Sequence, residues 1–246
     1  MNTDVLHVAG IYIEVIQKPI KNLHIGVYPP DGRVRVAAPP SMSLDAVRVA
    51  LLTRLPWIER KRRGFALQPR EGRRAYVSGE THFFLGRPLR LRVEAMASGR
   101  CGLALEGSDG LRMRVRPGAG FSDRERMVLR WYREELRARG GAAVAKWADL
   151  LGVSRPLLGV KRMRTKWGSC NPLAGRVWLN LSLSKKPPQA IEYVALHEVA
   201  HFLSPRHDDA FIAVLDQWMP SWQKARAELN AMPLDNWDEE SGPILV

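Results

Sequence analysis

The segment QAIEYVALHEVAHFL, residues 189–203, constrains the fold of this chain more than any other stretch. Its apolar residues suit a buried helix, where an unpaired charge costs free energy. His197 and His201 are four positions apart, so a helix places both imidazoles on one face, one turn apart. Glu198 lies beside this pair. The segment therefore predicts a helix whose two imidazoles share one metal ion next to a carboxylate.

A third metal ligand is expected just after this helix. Pro205 is expected to end the helix near Leu203 or Ser204, and the chain can then turn His207 back toward the first two histidines. The spacing favours His207 because it matches the metzincin pattern, although Ser204 replaces the glycine of that pattern and Met219 lacks a Met-turn context. Four downstream carboxylates are the alternative ligands: Asp208, Asp209, Asp216 and Glu228.

The number of ligands bears on what the metal does. Three protein ligands leave a position for water, which is the arrangement of a catalytic zinc, whereas a structural zinc usually has a fourth side chain. Glu198 would then act as general base on the metal-bound water without binding the metal itself. The alternatives are a structural metal, or histidines that are hydrogen-bonded within the core. The pattern favours catalytic Zn2+ and therefore a hydrolase.

Cysteine content and the N-terminus narrow the class of protein. Cys101 and Cys170 form no CxxC pair, so the sequence predicts neither a disulfide framework nor a four-thiolate zinc site. Cys170 is expected to pack at a hairpin turn rather than reach the metal. Asp4 stands where a signal peptide would carry positive charge, and no apolar run approaches the roughly 18 residues of a membrane span. We expect a soluble cytoplasmic protein with no membrane partner.

The charge distribution separates the basic surface from the histidine-rich segment. The net charge of +13 suits a polyanionic partner. However, residues 123–166 hold twelve Lys and Arg against five Asp and Glu, while residues 197–246 hold three against nine. The Arg residues are interpreted chiefly as solvated helix faces, and nucleic acid stays open as a partner.

Short alternating or β-branched runs predict that the first half is rich in strands: IYIEVIQ, NLHIGVYP, GRVRVAAP, YVSGETHFFLG, RPLRLRVEAM, GLALEG and LRMRVRP. Ser43 precedes an apolar-periodic stretch that predicts two helices divided at Pro56. A glycine-rich break at residues 117–120 predicts a domain boundary. The expected domains are therefore residues 1–118 and 119–246.

The second half predicts one long helical region followed by a hairpin. Ser122 is expected to cap the helix, and Gly140 and Gly141 to interrupt it. Two strands should follow, KRMRTKWGSC and RVWLNLSL, joined by the turn NPLAG. The second strand would lie beside the metal site, where its edge could bind an extended peptide.

Several motifs resemble those of one family: RTKWGSC at 164–170, VWLN at 177–180, Tyr193-Val194 before the histidines and Met219-Pro220 after them. Three segments of the first half resemble motifs of the same family: PWIERK, YVSGE and FFLGRPLRL. The chain resembles the YgjP-like metallopeptidases, which are distantly similar to SprT-like and WLM zinc proteases. The resemblance implies an α+β fold, in which a β-rich N-terminal region precedes a minimal zincin-like helical domain with a short β-hairpin sheet.

The same resemblance implies that His197, His201 and His207 bind zinc and that Glu198 is the catalytic base. The chain departs from the family pattern at two positions. Lys166 replaces the usual Arg before Trp-Gly-Ser-Cys, and so loses a bidentate anion clamp. Asp208 replaces the usual Ser after the third histidine, and is either a partner that orients His207 or a solvated turn residue.

Three functions follow as hypotheses. The first is a metallopeptidase acting on peptides or proteins, whose oxyanion donor is expected among Arg164, Lys166 and Arg206. The second is a metal-dependent nucleoside triphosphate (UTP) pyrophosphatase, a label carried by some family members; the basic residues at 161–166 suit phosphate, but the chain has no glycine-rich phosphate loop. The third is a non-enzymatic, zinc-stabilised module associated with nucleic acid, which would not need Glu198.

Overall fold

A computed structural model describes residues 3–28, 31–67, 74–163 and 166–232. These residues form two compact units, one within 3–67 and the other within 74–232. Both units combine sheet and helix, which confirms the α+β fold predicted from the sequence. The predicted domain boundary at 118/119 lies inside the second unit and remains a prediction.

The first unit packs two helices on one four-stranded sheet. Its strands, in the order β1-β2-β4-β3, are β1 (Thr3–Val8), β2 (Ile11–Gln17), β3 (His24–Tyr28) and β4 (Arg33–Ala38). The helices α1 (Leu44–Thr53) and α2 (Leu55–Leu67) divide next to Pro56, as expected. The Ser43 hydroxyl accepts the Ala46 amide at 3.2 Å and caps α1. Ile11, Ile13 and Val15 alternate along β2 and are buried, and these side chains pack against α1 and α2 in one core.

A second four-stranded sheet opens the other unit. Its order is β5-β6-β8-β7, formed by β5 (Thr81–Phe84), β6 (Arg87–Ala95), β7 (Gly102–Glu106) and β8 (Gly110–Val115). Its apolar face shares a core with the first half of α3 (Phe121–Leu150). Among the described residues, no helix combines the length and apolar character that crossing a bilayer requires.

Helix α3 corrects two expectations. Its N-cap is Gly120, whose amide donates to the Asp123 carboxylate at 3.2 Å, so Ser122 is not the cap. The helix also continues through Gly140 and Gly141, so the predicted interruption is wrong. A Cβ on Gly140 would lie 2.5 Å from a methyl group of Leu179. Gly140 therefore allows the helix to pack closely against the next sheet, and this packing outweighs the poor helix propensity of glycine.

The next sheet has the order β10-β11-β9, formed by β9 (Leu157–Lys161), β10 (Gly168–Asn171) and β11 (Arg176–Asn180). The strand expected over 161–170 is therefore split between β9 and β10. The second expected strand ends at Asn180, whose side chain accepts the Ser182 amide at 3.2 Å and begins a 3-10 turn, Leu181–Lys185. Since β11 pairs with strands on both sides, it has no edge for a peptide, and that expectation is wrong.

Three further helices complete the unit: α4 (Pro188–Ala200), α5 (Asp209–Trp218) and α6 (Trp222–Ala231). Helix α4 is mostly buried after its exposed first two residues, and its apolar residues join α3, β11, α5 and α6 in one core. Glu192 ties α4 to α3 by accepting hydrogen bonds from Lys146 Nζ at 2.9 Å and Trp147 Nε1 at 2.8 Å. The expected metal-binding helix is thus part of one of the two hydrophobic cores of the second unit.

Candidate metal centre

Helix α4 carries the first three predicted site residues at its C-terminal end. His197 and Glu198 belong to its last turn, and His201 is its C-cap. His201 keeps helical backbone angles, φ −66° and ψ −13°, so the i, i+4 relation to His197 is preserved. The two imidazole rings therefore lie side by side, with centroids 5.0 Å apart.

His207 joins this pair from the loop that follows. One candidate ligand atom from each of His197, His201 and His207 lies within 4.8 Å of the other two. The Nε2 atoms of His197 and His207 are 3.1 Å apart, a distance at which two imidazole nitrogens share a proton or a cation. The structure thus brings together the three histidines that the sequence singled out.

The Phe211 ring packs against all three imidazole rings. This buried residue of α5 lies 5.0, 4.6 and 4.8 Å, between ring centroids, from His197, His201 and His207. Its position depends on Asp208, whose carboxylate caps α5 by accepting the Phe211 amide at 3.1 Å. Asp208 is therefore the N-cap of α5, and His207 is the residue immediately before this cap.

Neighbouring groups orient the imidazole of His201 and lower the pKa values of His197 and His201. His201 Nδ1 lies 3.0 Å from the Ser204 carbonyl, so the Nδ1 hydrogen is donated there and Nε2 remains free to bind a metal. Burial, together with His201 and His207, lowers the pKa of His197 to about 3, and burial also lowers the pKa of His201. Both rings are neutral at pH 7, which is the form that binds a metal.

This donor set fits zinc. Two nitrogens bound tetrahedrally to one zinc at about 2.0–2.1 Å would be roughly 3.4 Å apart, close to the 3.1 Å between His197 and His207. Three alternative carboxylate ligands are held by other groups: Asp208 caps α5, Asp216 accepts the Trp222 indole N–H at 2.7 Å, and Glu228 lies 3.9 Å from Lys224. Among the described residues, the three histidines form the group able to hold a metal, and Asp209 is not part of it.

Glu198 is buried beside the histidines, with 6% of its surface exposed. Burial raises its pKa to about 7, while the Cys170 thiol and the charge of Lys166 act in the opposite direction. A carboxylate with a pKa near neutrality can accept and return a proton at physiological pH. Cys170 is not part of the histidine group and lies half-buried within β10.

Sequence reasoning missed several residues of this site. Phe211 and Gly168 were not expected, although Gly168 belongs to the WGSC motif and a Cβ there would lie 2.6 Å from Glu198 Oε1. Arg226 of α6 was also unforeseen, and its charge acts on both His197 and Tyr193. No pattern in the sequence points to Arg226, because its position depends on how α6 packs.

The expected oxyanion donors are placed differently from one another. Lys166 is near enough for its charge to act on Glu198 and His201. The Arg206 side chain is exposed, and the Arg206 backbone carbonyl accepts a hydrogen bond from the Ser204 hydroxyl at 3.2 Å. Arg164 lies outside the described residues. The assignment of the donor among these residues stays a prediction.

One protein-family model matches this chain. The model of the YgjP-like family, described as YgjP-like, metallopeptidase domain, matches residues 21–232. A comparison with curated proteins found no match.

Similar solved structures include two archaeal metallopeptidase zymogens. Abylysin of Pyrococcus abyssi has 15% identity and a TM-score of 0.35, covering 39% of this chain and 99% of its own. Jannalysin of Methanocaldococcus jannaschii has 19% identity and a TM-score of 0.34, covering 37% of this chain and 92% of its own. Likenesses this weak carry no argument about the fold or activity of this chain.

Proposed function

The chain belongs to the YgjP-like, metallopeptidase domain family, and on this basis we propose that it is a zinc-dependent peptidase. His197, His201 and His207 hold the metal, and Glu198 is the general base. The observation that carries the proposal is the convergence of three imidazoles within 4.8 Å beside a buried carboxylate whose pKa is about 7. Structural zinc sites usually have a fourth side-chain ligand, so the three-histidine set supports a catalytic role.

Bound zinc would polarise the scissile carbonyl and lower the pKa of water. Glu198 takes the proton of the attacking water on its carboxylate and later delivers it to the leaving amine nitrogen. The surrounding apolar core keeps bulk water from this carboxylate, which accounts for its raised pKa. The Ser204 carbonyl holds the tautomer of His201 in which Nε2 can bind the metal.

Peptides or proteins are the proposed substrates because the family is described as a metallopeptidase domain. The comparisons give no support to a nucleotide substrate or a nucleic-acid partner. Lys161, part of the basic run expected to suit phosphate, lies 4.8 Å over the Trp178 ring. This contact is a cation–π interaction and needs no anion.

Metal content tests the ligand set. Purified protein should contain about one zinc per chain, and His197→Ala or His201→Ala should lose it. His24→Ala is the matched control, because His24 is an exposed residue of β3 in the first unit. A wild-type protein that is folded but neither contains nor binds zinc would contradict the proposal, as would zinc retained in both site variants.

A paired substrate assay tests the reaction. Glu198→Gln should retain zinc and lose cleavage of unstructured peptides, because the amide cannot accept the proton of water. UTP and ATP are tested in parallel with the same preparations. If the peptides stay intact while a nucleotide is cleaved in a Glu198-dependent manner, the chain is a pyrophosphatase and the peptidase proposal is wrong. If neither is cleaved and zinc only stabilises the fold, the metal is structural.

A further inference from the structure

Two alternate residues of β10, Gly168 and Cys170, face Glu198. Gly168 and Cys170 are two positions apart, so their side-chain directions point to the same face of the strand. A Cβ on Gly168 would lie 2.6 Å from Glu198 Oε1 and 2.8 Å from a methyl group of Val194. The missing side chain of Gly168 thus allows β10 to approach α4 closely enough for Cys170 to reach the carboxylate.

Cys170 lies on the same face of β10 as Gly168, which places its thiol near enough to the Glu198 carboxylate for the two groups to affect each other's pKa. Burial first, and then the nearby Glu198, raise the pKa of Cys170 to about 11, so the thiol keeps its hydrogen at neutral pH. A protonated thiol beside a carboxylate donates its S–H to an oxygen of that carboxylate. Cys170 is therefore a donor in this contact.

We propose that Cys170 is a positioning residue for the general base. Its S–H holds one oxygen of Glu198 and leaves the other oxygen directed at the water that attacks the substrate. This inference rests on the proposed peptidase function, and it gives the cysteine of the WGSC motif a role beyond filling space. Neither metal binding nor a thiolate nucleophile is required of it.

Two nearly isosteric pairs of variants separate donation from packing. Cys170→Ser and Cys170→Thr keep a hydroxyl donor, whereas Cys170→Ala and Cys170→Val remove it at matched small and large size. Within each pair, kcat should be roughly tenfold higher for the variant with the donor, since a misplaced base loses proton-transfer efficiency. KM and zinc content should be equal within each pair. Cys101→Ala, outside the site, should match the wild type.

Thermal unfolding of every variant checks that the paired proteins are equally folded, and crystal structures of Cys170→Ser and Cys170→Ala report the Glu198 side chain directly. The expected result is a Glu198 rotamer that is kept in the Ser variant and changed or disordered in the Ala variant. Equal kcat within both pairs, or an unchanged Glu198 in Cys170→Ala, would overturn the inference. Because the crystallographic readout needs no activity, a failure of the peptidase proposal would be recognised separately, as a wild-type protein without peptide cleavage.

Discussion

Replacing Gly168 with alanine should disturb the site without touching a metal ligand. The new Cβ would lie 2.6 Å from Glu198 Oε1, 2.7 Å from Glu198 Cγ and 2.8 Å from Val194 Cγ1. Val194 is a buried residue of α4, with 3% of its surface exposed, and in a close-packed core it can move only by displacing its neighbours. The strain therefore falls mainly on the Glu198 side chain, whose Oε1 must move by about 0.8 Å to reach an ordinary contact near 3.4 Å.

The expected magnitudes follow from this displacement. Forcing one methyl group into a packed core usually costs about 1–3 kcal/mol, and three contacts this short place Gly168→Ala near 2 kcal/mol. For a unit of this size, that loss should lower the unfolding midpoint by roughly 4–8 °C. A displacement approaching 1 Å at the general base should lower kcat by about a hundredfold. Zinc content should be unchanged, because the atoms nearest to the new Cβ belong to Glu198 and Val194 and not to the three histidines.

The assay combines differential scanning calorimetry, zinc analysis and peptide cleavage by the same preparation. Gly102→Ala is the matched control, since Gly102 also lies in a strand and a Cβ there meets nothing within 4 Å. The control should keep the unfolding midpoint and the turnover of the wild type. A Gly168→Ala protein with wild-type kcat and midpoint would refute the claim that β10 and Glu198 are in tight contact.

Three further predictions concern stability. Gly140→Ala should lower the free energy of unfolding by about 1–3 kcal/mol, because the new Cβ would lie 2.5 Å from a leucine methyl group of β11. Gly141→Ala would meet only a contact at 3.9 Å, so the better helix propensity of alanine should raise the free energy of unfolding by up to about 1 kcal/mol. Urea unfolding measures both, and equal effects would contradict the packing described for α3. Glu192→Ala should cost about 1–2 kcal/mol because it removes the acceptor of the Trp147 indole N–H, and a double-mutant cycle with Trp147→Phe should show coupling rather than additivity. In the metal-free protein, folding raises the pKa of Glu198 from 4.5 to about 7. Between these two pH values the folded state binds the proton more tightly than the unfolded state, so the free energy of unfolding decreases as the pH rises from 4.5 to 7. Glu198→Gln should therefore gain up to roughly 3 kcal/mol relative to the wild type between pH 4.5 and 7.5, and a difference independent of pH would show that the pKa is not raised.

The strand-rich first half and its helical pair could be predicted because their signals are local. Alternation along β2 and the Ser43 cap of α1 depend on neighbouring residues only. Predictions failed where a distant element changed the local preference. Glycine at 140 disfavours a helix by itself, yet α3 continues through it because a sheet packs there. The role of β11 as a central strand likewise depends on β9, which pairs with it in parallel from outside the expected hairpin.

The sequence alone determined that His197, Glu198 and His201 share one end of a helix, since helical periodicity relates residues only one turn apart. The relation of His207 to that pair was a hypothesis from spacing and family resemblance, and the tertiary structure decided its geometry. Phe211 supports the three rings, and β10 brings Gly168 and Cys170 against the base. These contacts join residues that are separated along the chain, so they depend on how β10, α4 and α5 pack around one core rather than on any local pattern.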